Sequence, residues 1–226
     1  MASISGVKAV VFDAYGTMFD VHSPVNRLAE AFGDNAASVS AMWRDKQLQY
    51  TWLRSLMGAF APFSQVTADA LDYALKAHGI ENPGLRANLL EAYYTLDAYD
   101  DVAPCLDALK AKGFATAILS NGSPDMLEAA TKSAGLIDKL DAVLSVNDVG
   151  INKPDPKVYQ LALNHFSIAA QEVCFVSNNA WDSHAGANFG YQVARLVRYG
   201  APAEMLPGEP KMLMTDLTGL ADALEK

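Results

Sequence analysis

Five short apolar runs set the strongest constraint on this chain: "KAVVFD" (8–13), "ATAILS" (115–120), "DAVLS" (141–145), "VCFVS" (173–177) and "VARLV" (193–197). Each is hydrophobic almost without interruption, as expected of a strand covered on both faces rather than one. Amphipathic stretches near 101–112, 124–135, 155–165 and 182–189 separate or flank the later runs. "SNGSPDMLEAA" carries a helix start, with Ser123 as cap, Pro124 in the first turn and Asp125 at the positive end. Strands alternating with helices in this way predict a doubly wound α/β core with a mainly parallel sheet.

The stretch 21–97 reads differently. "VNRLAEAF", "SAMWRDKQLQYTWLRSLM" and "ADALDYALKAH" have helical character, and "FAPFSQV" and "IENPGL" read as the turns between them. The expected organisation is therefore a catalytic core of 1–20 and 98–226, with a helical cap inserted at 21–97.

Composition narrows the function. A formal charge of −9 over 226 residues argues against a nucleic-acid surface, which needs a basic patch. No apolar run approaches the ~20 residues that cross a bilayer. "MASISGVKAVV" lacks a basic leader, and Cys105 and Cys174 sit far apart in apolar surroundings. Buried free thiols and a cytoplasmic setting are the expectation. The four histidines have no metal-ligand spacing, and "GANFG" is not a dinucleotide loop.

In an open parallel sheet, ligands bind beyond the carboxyl ends of the strands. The first strand ends at Asp13, the second at Ser120 and Asn121, and the fourth at Ser177, Asn178 and Asn179. "NKPDPKVY" puts Lys153 at the same rim. Any one of these could merely cap a helix. Together at one edge they mark a site.

"FDAYGT", "SNG", "KPDP" and "VSNNAWD" match, in order and spacing, the motifs of the haloacid dehalogenase superfamily. "DAYGTMFDVHS", "WRDKQLQYTWLRSLM" and "SNNAWDSHAGAN" resemble the L-2-haloacid dehalogenases in particular. The resemblance implies that Asp13 displaces halide from C2 of a 2-haloacid, and that water then hydrolyses the aspartyl ester. It implies Arg44 and Asn179 at the leaving halide, and Ser120, Asn121 and main-chain amides near Tyr15 at the substrate carboxylate. Thr17, Tyr159 and Ser177 would orient Asp13 and Lys153. Asp182, alone or with Ser177 and Asn179, would position or activate the water. Tyr15, Leu48, Phe63 and Trp181 would wall the substrate. The excess of apolar residues around Met42, Trp43, Tyr50, Trp52, Leu53, Leu56 and Met57 suggests either deep burial or a subunit interface. Because homodimers are common in the family, a homodimer through the cap helices is the expectation.

Phosphatases of the superfamily resemble D-x-D-G-T at the first motif, where the second acid protonates the leaving alkoxide. Tyr15 stands there in this chain. A halide leaves as an anion and needs no proton. At the fourth motif Asn178 replaces one of the acids that help hold magnesium. That also avoids repulsion between clustered carboxylates, roughly 4 kcal/mol per close pair at intermediate dielectric. The expectation is no metal and no cofactor, with a small 2-haloacid and water as the only partners beyond a second copy. Two rival readings remain at this point, a magnesium-dependent small-molecule phosphatase and a non-catalytic protein that binds partners through its cap.

Overall fold

The computed structural model describes residues 4–226. β1 (Ala9–Phe12), β2 (Ala115–Ser120), β3 (Ala142–Ser145), β4 (Val173–Ser177), β5 (Gln192–Leu196) and β6 (Met212–Met214) form one sheet in the order β3-β2-β1-β4-β5-β6. Every neighbouring pair is parallel. The chain builds from β1 outward to β3, then crosses back to start β4 on the other side. The strand order therefore reverses between β1 and β4, and a crevice opens at their carboxyl ends.

Alternate residues of each strand enter different cores. Val10, Phe12, Ile118, Cys174 and Val176 belong to one apolar cluster, and Ala9, Val11, Ala117, Leu119 and Phe175 to the other. Both faces are dry, which explains why these strands lack a polar alternation. The five expected strands occur with ends shifted by no more than one residue. β6 is new. It is only three residues long, and its middle residue Leu213 is exposed, so no apolar run announces it.

The described residues between β1 and β2 form helices and turns without a ladder strand: α1 (Ser23–Arg27), α2 (Ala36–Leu56), α3 (Phe63–Ala77), α4 (Pro83–Ala92) and α5 (Val102–Ala111). "VNRLAEAF" is not one helix. Leu28 leaves helical geometry at φ −115° and ψ 21°, and two 3₁₀ turns follow. "IENPGL" is not simply a turn, because α4 starts inside it. Asn82 accepts a hydrogen bond from the Leu85 amide, and Pro83 occupies the first turn where its missing N–H costs nothing. "FAPFSQV" likewise runs into α3 at Phe63.

The remaining helices are α6 (Pro124–Ser133), α7 (Pro156–Phe166) and α8 (Ala180–Phe189). Ser123 takes the N-cap position of α6 in extended backbone, but its side chain makes no capping bond. α8 begins two residues before the expected 182, which puts Asp182 in its first turn. Cys105 and Cys174 are free and buried, and burial pushes both thiols up to about 12. No helix among the described residues is long and apolar enough to cross a membrane.

Ile118 and Leu119 are adjacent on β2, fully buried, and face opposite cores. Ile118→Ala and Leu119→Ala should each lower unfolding free energy by about 2–5 kcal/mol in urea titrations. A near-neutral result at either position would contradict a sheet covered on both faces.

Candidate active site

Asp13 extends β1 by one residue, and its amide donates to the Val176 carbonyl at 2.9 Å. The chain must then turn sharply. Gly16 adopts φ +87°, a region L side chains rarely enter, and the amides of Thr17 and Met18 fold back onto the Ala14 carbonyl. Asp13 ends 6% exposed with its two oxygens unequally loaded. Oδ2 accepts from Asn179 Nδ2 at 2.6 Å, Thr17 Oγ1 at 3.0 Å and Ser177 Oγ at 3.4 Å. Oδ1 accepts from Lys153 Nζ at 3.2 Å.

Lys153 lies in the loop before α7 and is 1% exposed. Its ammonium also donates to Asp182 Oδ2 at 2.7 Å and stands 4.9 Å over the Phe175 ring. Tyr159, on α7, donates its hydroxyl to the other Asp182 oxygen at 2.7 Å. Burial works against the Lys153 charge, but Asp13 and Asp182 outweigh it and hold its pKa above the ordinary value. Burial raises the Asp182 carboxyl to about 6, with the charge of Asp13 adding to the effect and Lys153 opposing it. Burial and then Asp182 push the Tyr159 hydroxyl well up, so it stays a proton donor.

Asn179 stands at the N-cap of α8, the position at which an Asn side chain ordinarily bonds its own helix. It makes no such bond. Its amide group donates to Asp13 and, at 2.9 Å, to the Tyr15 carbonyl. Arg44 reaches in from α2 and donates to the same carbonyl at 3.1 Å and to Asn179 Oδ1 at 3.2 Å. Gln47, one turn along α2 and 1% exposed, holds the far end of that guanidinium at 2.8 Å. Gln47 is in turn fixed by Thr67 at 2.8 Å and Tyr93 at 3.1 Å. The sequence reading missed Gln47. Its spacing of three from Arg44 was the available signal.

The apolar residues divide. Tyr15 is buried against Phe63, ring centroids 5.0 Å apart, and burial pushes its unpartnered hydroxyl well above the usual range. Gly122 makes room for that ring, since a Cβ there would lie 2.7 Å from Tyr15 Cε2. Leu48 is half-buried on α2, one turn beyond Arg44. Trp181 packs edge-on against Trp52 at 5.4 Å, and both line a cleft of about 920 Å³ with Ile151, Tyr159 and Leu206.

The expected carboxylate cradle is partly committed elsewhere. Asn121 accepts the Lys153 amide at 2.9 Å, Ser120 Oγ accepts the Gly122 amide at 3.0 Å, and the amide of Gly16 bonds the Phe19 carbonyl. The Ser120 hydroxyl proton has no such commitment among these bonds. Asn121 thus fixes the loop that carries Lys153. Among the described residues no three His, Cys, Asp or Glu side chains cluster as metal ligands. What the arrangement offers is a buried carboxylate with one freer oxygen, a second carboxylate of raised pKa, and two cations close by.

Residues 7–190 match the family model described as haloacid dehalogenase-like hydrolase. (S)-2-haloacid dehalogenase 1 of a Pseudomonas species is 43% identical over 219 residues, 96% of each chain. (S)-2-haloacid dehalogenase 4A of Burkholderia cepacia is 46% identical over 202 residues, 89% of this chain and 87% of that one. A solved structure, L-2-haloacid dehalogenase from Xanthobacter autotrophicus with chloropropionic acid covalently bound, superposes with a TM-score of 0.87 at 38% identity, covering 96% of this chain and 97% of that one. The chain belongs to the haloacid dehalogenase-like hydrolases, within the family of L-2-haloacid dehalogenases.

Proposed function

We propose that the protein hydrolyses short-chain L-2-haloacids to D-2-hydroxyacids, and haloacetates to glycolate, with inversion at C2. The observation that carries this reading is the unequal loading of Asp13. The Oδ1 lone pairs face only Lys153, so Oδ1 is the nucleophile. It forms a bond to C2 as the carbon–halogen bond breaks, and halide leaves with the bonding pair toward Arg44 and Asn179. A covalently bound chloropropionic acid in the Xanthobacter autotrophicus relative supports an ester stage.

In the second step, water adds to the carboxyl carbon of Asp13 rather than to C2. The carbonyl oxygen of that ester is Oδ2. Thr17, Ser177 and Asn179 already aim donors at it, so the charge that develops in the tetrahedral intermediate meets a prepared oxyanion site. Asp182, held by Lys153 and Tyr159, accepts the proton of the attacking water. Collapse breaks the bond between the Asp13 carboxyl carbon and Oδ1, and the departing alkoxide takes the proton held by Asp182. The hydroxyacid leaves with Oδ1, and Asp13 is restored with one oxygen from water after losing its remaining proton to solvent.

Tyr15, Phe63 and Leu48 wall the substrate on the cap side and Trp181 on the core side, while Ser120 donates its free hydroxyl proton to the substrate carboxylate. The scheme uses no metal: the Lys153 ammonium bridges the two carboxylates that would otherwise have to share a cation. The same reading takes 21–97 as a cap over a core of 1–20 and 98–226. It places the enzyme in the cytoplasm, where buried free thiols are common, and pairs two copies through α2. Leu53, Leu56 and Met57 remain exposed there, whereas Trp43 and Trp52 pack on Tyr93 and Trp181.

Halide release from L-2-chloropropionate, and none from the D enantiomer, is the expected result, unchanged by excess chelator and abolished by Asp13→Asn. Magnesium-dependent phosphate release in its place would overturn the assignment. Turnover should also fall as pH drops through about 6, because Asp182 must be ionised to take the proton and burial raises its pKa. An ordinary carboxylate would move that limb to about pH 4. A pH–kcat profile flat down to pH 4 would remove Asp182 from the base role.

A further inference from the structure

A second charged assembly, separate from Lys153, grips the turn after Asp13. Arg198 follows β5 and forms a two-pronged ion pair with Asp101, at 2.8 and 2.9 Å, with side chains only 9% and 15% exposed. The guanidinium lies 4.2 Å over the Tyr99 ring. One of its NH2 protons also goes to the Thr17 carbonyl at 3.1 Å. The main-chain amide of Arg198 donates to Asn178 Oδ1 at 3.0 Å, and the amide of Asn178 donates to Thr17 Oγ1 at 2.9 Å. Thr17 Oγ1 then donates to Asp13 Oδ2.

Both polar ends of Thr17 are thus clamped. A hydroxyl that accepts from Asn178 must point its single proton elsewhere, and it points to Asp13. One buried donor marks what this geometry gives up: Arg198 Nε has no partner, so the guanidinium is oriented by Asp101 and Thr17 at the expense of that bond. Asp101 is fixed in turn by the Leu217 amide at 2.8 Å.

We infer that Arg198, backed by Asp101, is a positioning residue for the reaction: it holds the Thr17 turn and, through Thr17 and Asn178, sets the orientation of the Asp13 carboxylate. This rests on the function proposed above. It touches neither substrate nor reacting atoms, so its removal degrades the alignment of the nucleophile and of the Oδ2 donors while leaving substrate capture intact. Misplacement of an attacking group by about an ångström can lower rates some hundredfold.

The test is steady-state halide release from L-2-chloropropionate by wild type, Arg198→Met, Arg198→Lys and Asn178→Ala, with unfolding midpoints measured for each. Arg198→Met should lower kcat at least tenfold with KM within twofold of wild type. Arg198→Lys, which keeps one cationic donor for Thr17 or Asp101, should recover part of the loss. Asn178→Ala, which removes only the Arg198 amide contact, should lower kcat a few-fold. If Arg198→Met does not fold, the Lys and Asn178 variants carry the same split. A lowered midpoint with wild-type kcat well below it would overturn the inference and leave Arg198 purely structural. A parallel rise in KM would also overturn it. No halide release from the wild type would sink the proposed function itself, a result separable from active wild type with unaffected variants.

Discussion

The Lys153 ammonium, shared between Asp13 and Asp182, is the interaction on which the site is organised. Buried charges of one sign cannot stand alone, because desolvation costs several kcal/mol per ion even after relaxation. Lys153 neutralises one of the two carboxylates and leaves a local excess of one negative charge. The two carboxylates hold the Lys153 pKa above its ordinary value against burial, whereas at Asp182 it is burial that raises the pKa, with Lys153 opposing. The doubly wound topology makes the triad possible. β1 supplies Asp13, β4 leads into the first turn of α8 with Asp182, and the loop before α7 carries Lys153 to the switch point between them.

With the ammonium on Oδ1, the hydroxyl and amide donors of Thr17, Ser177 and Asn179 gather on Oδ2. A carboxylate polarised in this way can act as nucleophile through one oxygen and as carbonyl through the other. In the proposed scheme the same side chain serves both halves of the hydrolysis without rearranging its partners. α2 adds the second cation from outside the sheet. Gln47, Thr67 and Tyr93 fix the Arg44 guanidinium against the Tyr15 carbonyl, so α2 contributes a preset charge to the turn after Asp13.

Strands buried on both faces leave an uninterrupted apolar signature, and for that reason the core was legible in the sequence from "KAVVFD" to "VARLV". The polar residues that end those runs converge because parallel strands end at one edge, so Asp13, Ser120, Asn121, Ser177 and Asn179 could be grouped before any coordinates. Short elements were less visible. β6 has three residues, and α4 starts at a Pro–Gly pair that reads equally as a turn. Choice of hydrogen-bond partner was the least legible. Asn179 forgoes its helix cap for Asp13, and Asn121 bonds Lys153, each decided by tertiary contacts that residue spacing does not encode.

The most direct test of a nucleophilic Asp13 is a single turnover of L-2-chloropropionate by excess enzyme in water enriched in oxygen-18, followed by mass spectrometry of lactate and of the peptide bearing Asp13. Attack by Asp13 and hydrolysis at its carboxyl carbon predict unlabelled lactate and one heavy oxygen in Asp13. Labelled lactate with an unlabelled Asp13 would mean that water attacks C2 directly, and would contradict the account.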